Sequence, residues 1–145
     1  MTIKIGDRIP DAALYESLEF GDACPLPPLK VGVHDASKGK KIVIFGLPGA
    51  FTPTCSACIS VNDGFVMAAW GRDEKAIGKI RFLGDGSADF AKKLGLDVDL
   101  TAHGMGVRMQ RFSMLVDDGV VKQINVEAPG KFEVSGADKI LQQLA

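Results

Sequence analysis

Lys41-Ile42-Val43-Ile44-Phe45-Gly46-Leu47-Pro48-Gly49-Ala50-Phe51-Thr52-Pro53-Thr54-Cys55 is the stretch on which the fold turns. Ile42, Val43, Ile44 and Phe45 follow one another without polar alternation, which predicts a strand buried on both faces of a sheet. Leu47-Pro48-Gly49 ends that strand, and Pro53 and Thr54 suit the first turn of a helix around Cys55. A thiol therefore sits at a strand-to-helix junction.

Outward from this centre the chain alternates. Residues 1–40 carry Pro10, Pro25, Pro27 and Pro28 and few periodic positions, so they read as short strands and loops. Downstream, Cys58 to Asp63 predicts a second short strand, Phe65 to Trp70 a helix and Lys79 to Leu83 a strand. Ser87 then caps a helix running through Leu94 and stopped by Gly95. Arg111–Val116 and Val120–Val126 flank Asp117-Asp118-Gly119, a hairpin signal. Ser135 caps a last helix with Ala137, Ile140, Leu141 and Leu144 turned inward. This order predicts a single α/β domain over residues 1–145, a thioredoxin-like sandwich with a mixed central sheet flanked by helices. One connection is too short. If the strand from Lys41 and the strand over Cys58–Asp63 are parallel neighbours, they need a crossover of roughly 10–12 residues that normally contains a helix, and only Pro48 to Ala57 is available.

Composition narrows the functional classes. The 145 residues include 17 Lys and Arg against 18 Asp and Glu, a net charge of −1 with no basic run, which argues against nucleic acid or an anionic membrane as partner. The longest apolar stretch, Ile42 to Phe51, is interrupted by Gly46, Pro48 and Gly49 and falls far short of the ~20 residues that span a bilayer. The opening MTIKIGDRIP lacks the apolar segment of a secretory signal, so a cytoplasmic location is expected. Three cysteines are an odd number, too few for a disulfide scaffold, and point to thiol reactivity.

Cys55-Ser56-Ala57-Cys58 has the spacing of a redox dithiol, yet the residues after Cys58 alternate like a strand, so Cys58 also reads as a small buried apolar residue. His34 and His103 have no partners at metal-ligand spacing, and neither a metal nor another cofactor is expected. Gly84-Asp85-Gly86 lacks the third glycine of a phosphate loop, and Asp85 would repel phosphate, so it reads as a turn. Met105, Met109 and Met114 read as gap fillers, and Phe45, Phe51, Phe82 and Phe112 as core, with Phe51 also a candidate for the substrate approach.

Pro48-Gly-Ala-Phe-Thr52-Pro-Thr-Cys55 carries the spacing P-x-x-x-T-x-x-C. Together with ISVNDGFVMAAWG and GMGVRMQRFSMLVDDGVVKQINVEAPGKFEVS, it resembles the peroxiredoxins, in particular the type II or peroxiredoxin-5-like subgroup. The resemblance implies a thiol peroxidase that reduces hydrogen peroxide and alkyl hydroperoxides through a thiolate and a sulfenic acid. It places the peroxidatic cysteine at Cys55 and its partners at Thr52, Pro48 and Arg111, with Arg108 the competing arginine. It implies a homodimer reduced by glutaredoxin, glutathione or thioredoxin, with Cys58 and Cys24 as candidate resolving thiols. It also implies that about two dozen residues, including a long helix, are absent between Ala57 and Cys58, in line with the ~30 or more residues of a βαβ unit. Two other readings are a thioredoxin-like dithiol oxidoreductase using Cys55 and Cys58, and a redox-sensing binding protein.

The chemistry sets its own requirement. A thiol of pKa near 8.5 is about 3% ionised at pH 7, and lowering that pKa to about 6 raises the thiolate roughly thirtyfold. Thirtyfold is about 2 kcal/mol, small beside enzymatic accelerations of at least ~10⁶. Positioned donors at the breaking O–O bond must supply the rest.

Overall fold

The protein is described here by a computed structural model covering residues 1–17, 27–51 and 59–144. The first residues give β1 (Ala13–Glu16), β2 (Leu29–Gly32) and a short helix α1 (Val33–Ser37). The apolar run forms β3 (Lys41–Leu47), followed by β4 (Ile59–Ser60), α2 (Gly64–Asp73), β5 (Leu83–Gly84) and α3 (Asp89–Leu94). A small ribbon of β6 (Asp97–Asp99) and β7 (Val107–Met109) encloses a 3₁₀ turn, and β8 (Phe112–Asp117), β9 (Val120–Val126) and α4 (Ala137–Leu144) complete the chain. Among the described residues, seven strands form one mixed sheet in the order β2-β1-β5-β4-β3-β8-β9. Within it β3 with β4 and β4 with β5 run parallel, and the other neighbours are antiparallel.

Side chains on β3 alternate between two unequal cores. Ile42 and Ile44 face the larger one, whose buried residues include Phe90, Leu94, Met114 and Ile59. Phe45 and Leu47 face the smaller, where Leu47 packs with Met67 and Trp70 of α2 and with Phe82. The expectation of a strand buried on both faces is therefore corrected: Ile42, Val43 and Phe45 are only half-buried. β4 begins where the described residues resume, pairing Ile59 with Gly46 and Ser60 with Leu47. Of the strand expected over Cys58–Asp63, Cys58 lies outside the described residues, Ile59–Ser60 is strand, and the chain then bends at Val61 and Asn62. The strand expected over Lys79–Leu83 is corrected to Leu83–Gly84: the amides of Lys79 and Ile80 turn back to the Ala76 carbonyl, whereas Leu83 and Gly84 pair with β4 and Gly84 also with Tyr15 of β1.

Helix termini depart from expectation in two places. Ser87 does not cap α3; the carboxylate of Asp85 does the work, accepting the Phe90 amide at 3.1 Å and the Ala91 amide at 2.9 Å. Burial lifts the Asp85 carboxyl above its ordinary range, while the Ala91 and Phe90 amides pull the other way. The turn Gly84-Asp85-Gly86 thus fills its own anion-binding position. In α4, Ile140 is buried but Ala137, Leu141 and Leu144 are exposed. The inward stripe of that helix is Ile140 and Gln143, because Gln143 exchanges amide hydrogen bonds with Asn125 of β9 at 2.8 and 3.1 Å. Ser135 bonds to Glu127 through its hydroxyl instead of capping α4. The hairpin does form as its residues predict: Asp118 and Gly119 take φ of 46° and 77°, the left-handed pair that a type I′ turn requires.

Candidate active site

The β3–β8 register brings the site together. Gly46 lies opposite Phe112, so the chain leaving β3 through Leu47 to Pro48 meets Arg111, the residue entering β8, at one end of the sheet. Close packing fixes that register. A Cβ on Gly46 would clash with the edge of the Phe112 ring, so only glycine admits the ring there. Pro48 and Arg111, 63 positions apart in sequence, line one cavity of about 500 Å³. Val98, Leu100, Pro129 and Phe132 give the cavity its apolar wall.

Two of the four expected catalytic residues, Pro48 and Arg111, can therefore be placed. Thr52 and Cys55, with the candidate resolving residues Cys58 and Cys24, lie outside the described residues. The competitor Arg108 is engaged elsewhere: its guanidinium donates to the carbonyls of Met105 at 2.6 Å and Val61 at 3.0 Å. The Arg111 guanidinium stands 5.6 Å from the centre of the Phe132 ring, within cation–π range. His34 is committed to the fold, with Nε2 2.8 Å from the carbonyl oxygen of Ile9.

Two residues that no pattern in the sequence singles out shape this end of the sheet. Glu127 donates its amide to the Arg111 carbonyl at 2.9 Å. Its Oε1 accepts the amides of Glu133, Val134 and Ser135 at 2.7–2.8 Å and the Ser135 hydroxyl at 2.9 Å. Burial pushes the Glu127 carboxyl up, but those donors, led by the Ser135 and Val134 amides, outweigh it and hold the group below the usual carboxylate range. The turn carrying Phe132 is thereby tied to the residue beside Arg111. Asn62 acts on the chain leaving β3. Its Oδ1 accepts the Ala50 amide at 3.0 Å and the Ser60 hydroxyl at 2.6 Å. Ala50 leads into Phe51, whose φ of 60° is a left-handed conformation that costs a bulky side chain roughly 1–2 kcal/mol. Phe51 is largely exposed, with its ring 6.4 Å from that of Trp70, so it is not a core residue. A polar residue directly following a strand is the one local signal that marks Glu127; Asn62, two positions past β4, carries none.

An α/β sheet of thioredoxin type, with a proline and an arginine converging seven residues before a cysteine in the sequence, defines a class of thiol-chemistry proteins. Comparison with known proteins carries this further. The chain matches the Redoxin family over residues 4–57 and 56–141. It is 39% identical over 164 aligned positions to peroxiredoxin-2B of Arabidopsis thaliana, covering 98% of each protein. Among solved structures, it resembles reduced Prx3 from Vibrio vulnificus in complex with hydrogen peroxide, with a TM-score of 0.87 and 39% identity over 99% of this chain and 100% of that one. A Burkholderia cenocepacia structure, provisionally described as a thioredoxin reductase, superposes with a TM-score of 0.92 at 48% identity, covering 100% of this chain and 99% of that one. The chain belongs to the Redoxin family and, within it, to the peroxiredoxins. It is a thiol-dependent peroxidase.

Proposed function

We propose that Cys55 is the peroxidatic cysteine, with Thr52, Pro48 and Arg111 completing its site. The observation that carries this reading is the convergence of Pro48 and Arg111 on one cavity at the end of β3, from which the chain runs directly into Thr52 and Cys55. The Cys55 thiolate attacks one oxygen of the hydroperoxide, the O–O bond breaks, and the departing alkoxide or hydroxide takes up a proton to leave as alcohol or water. The sulfur is oxidised to a sulfenic acid and the peroxide is reduced. Arg111 stabilises the thiolate and the charge developing on the leaving oxygen, the Thr52 hydroxyl holds the peroxide against the sulfur, and Pro48 shields the site from water. The apolar wall formed by Val98, Leu100, Pro129 and Phe132 suits an alkyl substituent, so organic hydroperoxides are substrates alongside hydrogen peroxide.

The sulfenic acid condenses with a second thiol, releasing water and leaving a disulfide. Cys58, Cys24 and an external thiol are the candidates, and glutaredoxin, glutathione or thioredoxin returns the enzyme to its reduced state. A cytoplasmic location and a homodimeric assembly belong to the same proposal. So does the absence of about two dozen residues after Ala57, on the scale of the missing part of a βαβ unit. It is supported by the division of the family match at residues 56–57 and by an alignment of 164 positions to a chain of 145.

The test is peroxide consumption in the presence of added thiol, for the wild type, Cys55→Ser and Cys58→Ser. Loss of turnover in Cys55→Ser with the first oxidation intact in Cys58→Ser is the expected result. Turnover that survives removal of Cys55 overturns the assignment.

A further inference from the structure

We infer that Arg108 is a positioning residue for peroxide reduction, its guanidinium coupling a wall of the substrate cavity to the stretch of chain that leads to the reacting thiol. The inference rests on the assignment of Cys55 as the peroxidatic cysteine.

Two segments far apart in sequence meet on this one half-buried side chain. Its Nε donates to the Met105 carbonyl at 2.6 Å and its Nη1 to the Val61 carbonyl at 3.0 Å. Both bonds have a charged donor, which makes them stronger than bonds between neutral groups. A guanidinium holds its donors in one rigid plane, so a shift of either carbonyl disturbs the bond to the other.

The first carbonyl belongs to the cavity wall. Met105 donates its amide to the Leu100 carbonyl at 3.2 Å, and Leu100 donates its own to the Gly106 carbonyl at 2.8 Å. Leu100 lines the cavity that holds Pro48 and Arg111, as does Val98, which is paired with Arg108 across the ribbon of β6 and β7. That ribbon stands outside the seven-stranded sheet, and two strands alone are marginally stable. Val107 and Met109 root one of its faces in the larger core. Arg108, between them in β7, ties the opposite face to the end of β4.

The second carbonyl leads toward the thiol. Val61 and Asn62 form the bend between β4 and α2, and Asn62 Oδ1 accepts the Ala50 amide at 3.0 Å. From Ala50 the sequence passes through Phe51, held at a φ of 60°, to Thr52 and then Cys55. Two hydrogen bonds and one peptide step therefore connect Arg108 to the chain entering the motif. Reacting groups displaced by about 1 Å through a remote change can lose up to roughly 10²-fold in rate.

The test is Cys55 oxidation by hydrogen peroxide, followed by stopped flow in the wild type, Arg108→Met, Arg108→Lys, Asn62→Ala and the Arg108→Met/Asn62→Ala double variant, each at a temperature where it is folded. Arg108→Met should slow oxidation roughly tenfold and raise the pH midpoint of Cys55 alkylation by iodoacetamide, because the thiolate moves away from Arg111. Arg108→Lys keeps the charge without the planar donors and should recover part of the rate; it also serves as the milder variant for the same cycle if the methionine protein does not fold. Because Arg108 and Asn62 act through one chain of bonds, the double variant should be hardly slower than Arg108→Met, whereas independent sites would multiply their losses. Oxidation as fast as in the wild type, an unmoved alkylation midpoint, or multiplied losses overturns the proposal; multiplied losses are what direct contact of Arg108 with the peroxide would give. Amide exchange at Ala50 is a readout that does not involve Cys55. It should quicken roughly tenfold in Arg108→Met, and unchanged exchange overturns the positioning role. Turnover that survives Cys55→Ser strikes the thiol assignment instead and leaves the exchange result standing.

Discussion

The amide of Glu127 donates to the carbonyl of Arg111 at 2.9 Å, while the carboxylate of the same residue gathers three consecutive amides and a hydroxyl from residues 133–135. One residue thus ties the start of β8, through its backbone amide, to the turn that places Phe132 against the Arg111 guanidinium, through its carboxylate. Glu127→Ala leaves three amides without their acceptor and should cost about 2–4 kcal/mol, whereas Glu127→Gln, which keeps one oxygen in place, should cost about 1 kcal/mol. Urea unfolding of the three proteins measures both.

The pH dependence of that difference has a defined sign. The folded Glu127 carboxyl lies below its ordinary value of 4.5, so its contribution is fully present above that value and is lost as pH falls through the folded pKa. The stability gap between wild type and Glu127→Gln should therefore be widest near neutrality and close in acid. A gap that stays constant from pH 7 to pH 3 would show that the ionised carboxylate is not what holds the turn.

Gly46 and Phe112 share one volume, and a methyl group at position 46 must displace the ring. Because Arg111 precedes Phe112 in the chain, the displacement reaches the arginine. Gly46→Ala should lower stability by about 1–3 kcal/mol through overpacking and reduce peroxide turnover more than stability alone explains. Thermal unfolding and peroxide consumption, measured on the same preparation below the melting transition, separate the two effects.

At position 111, charge and geometry can be tested independently. Arg111→Lys preserves the positive charge but loses the planar fork of donors, and Arg111→Ala removes both. We expect the lysine variant to lose roughly tenfold and the alanine variant roughly 10²–10³-fold in the rate of Cys55 oxidation, the range found when one transition-state donor is deleted. Equal rates in all three proteins would place the guanidinium outside the reaction.

Asn62 accepts the Ala50 amide at the foot of the turn that leads through Phe51 to Thr52. Asn62→Ala should slow Cys55 oxidation while lowering stability by only about 1 kcal/mol, and Asn62→Asp, which retains an acceptor, should recover most of the rate. Stopped-flow peroxide oxidation, followed through the fluorescence of nearby Trp70, reads this directly.

Much of this protein was legible from local pattern. The unbroken apolar run from Ile42 to Phe45 marked β3, Asp118-Gly119 marked the β8–β9 turn, and the spacing from Pro48 to Cys55 marked the chemistry, because each depends on residues close together in the chain. Strand length was not legible. Leu83–Gly84 is a strand and Lys79–Phe82 is not, since the amides of Lys79 and Ile80 are turned back to the Ala76 carbonyl. Nor was the role of Glu127, whose importance comes from donors six to eight positions away and from a strand that starts fifteen residues earlier. Residue type and spacing by themselves pointed to a reactive thiol following a buried strand in an α/β domain, and the resemblance to the peroxiredoxins implied which thiol chemistry it serves. Only the tertiary structure decided that Pro48 and Arg111 share a cavity, because antiparallel pairing of β3 with β8 joins positions that the sequence holds far apart.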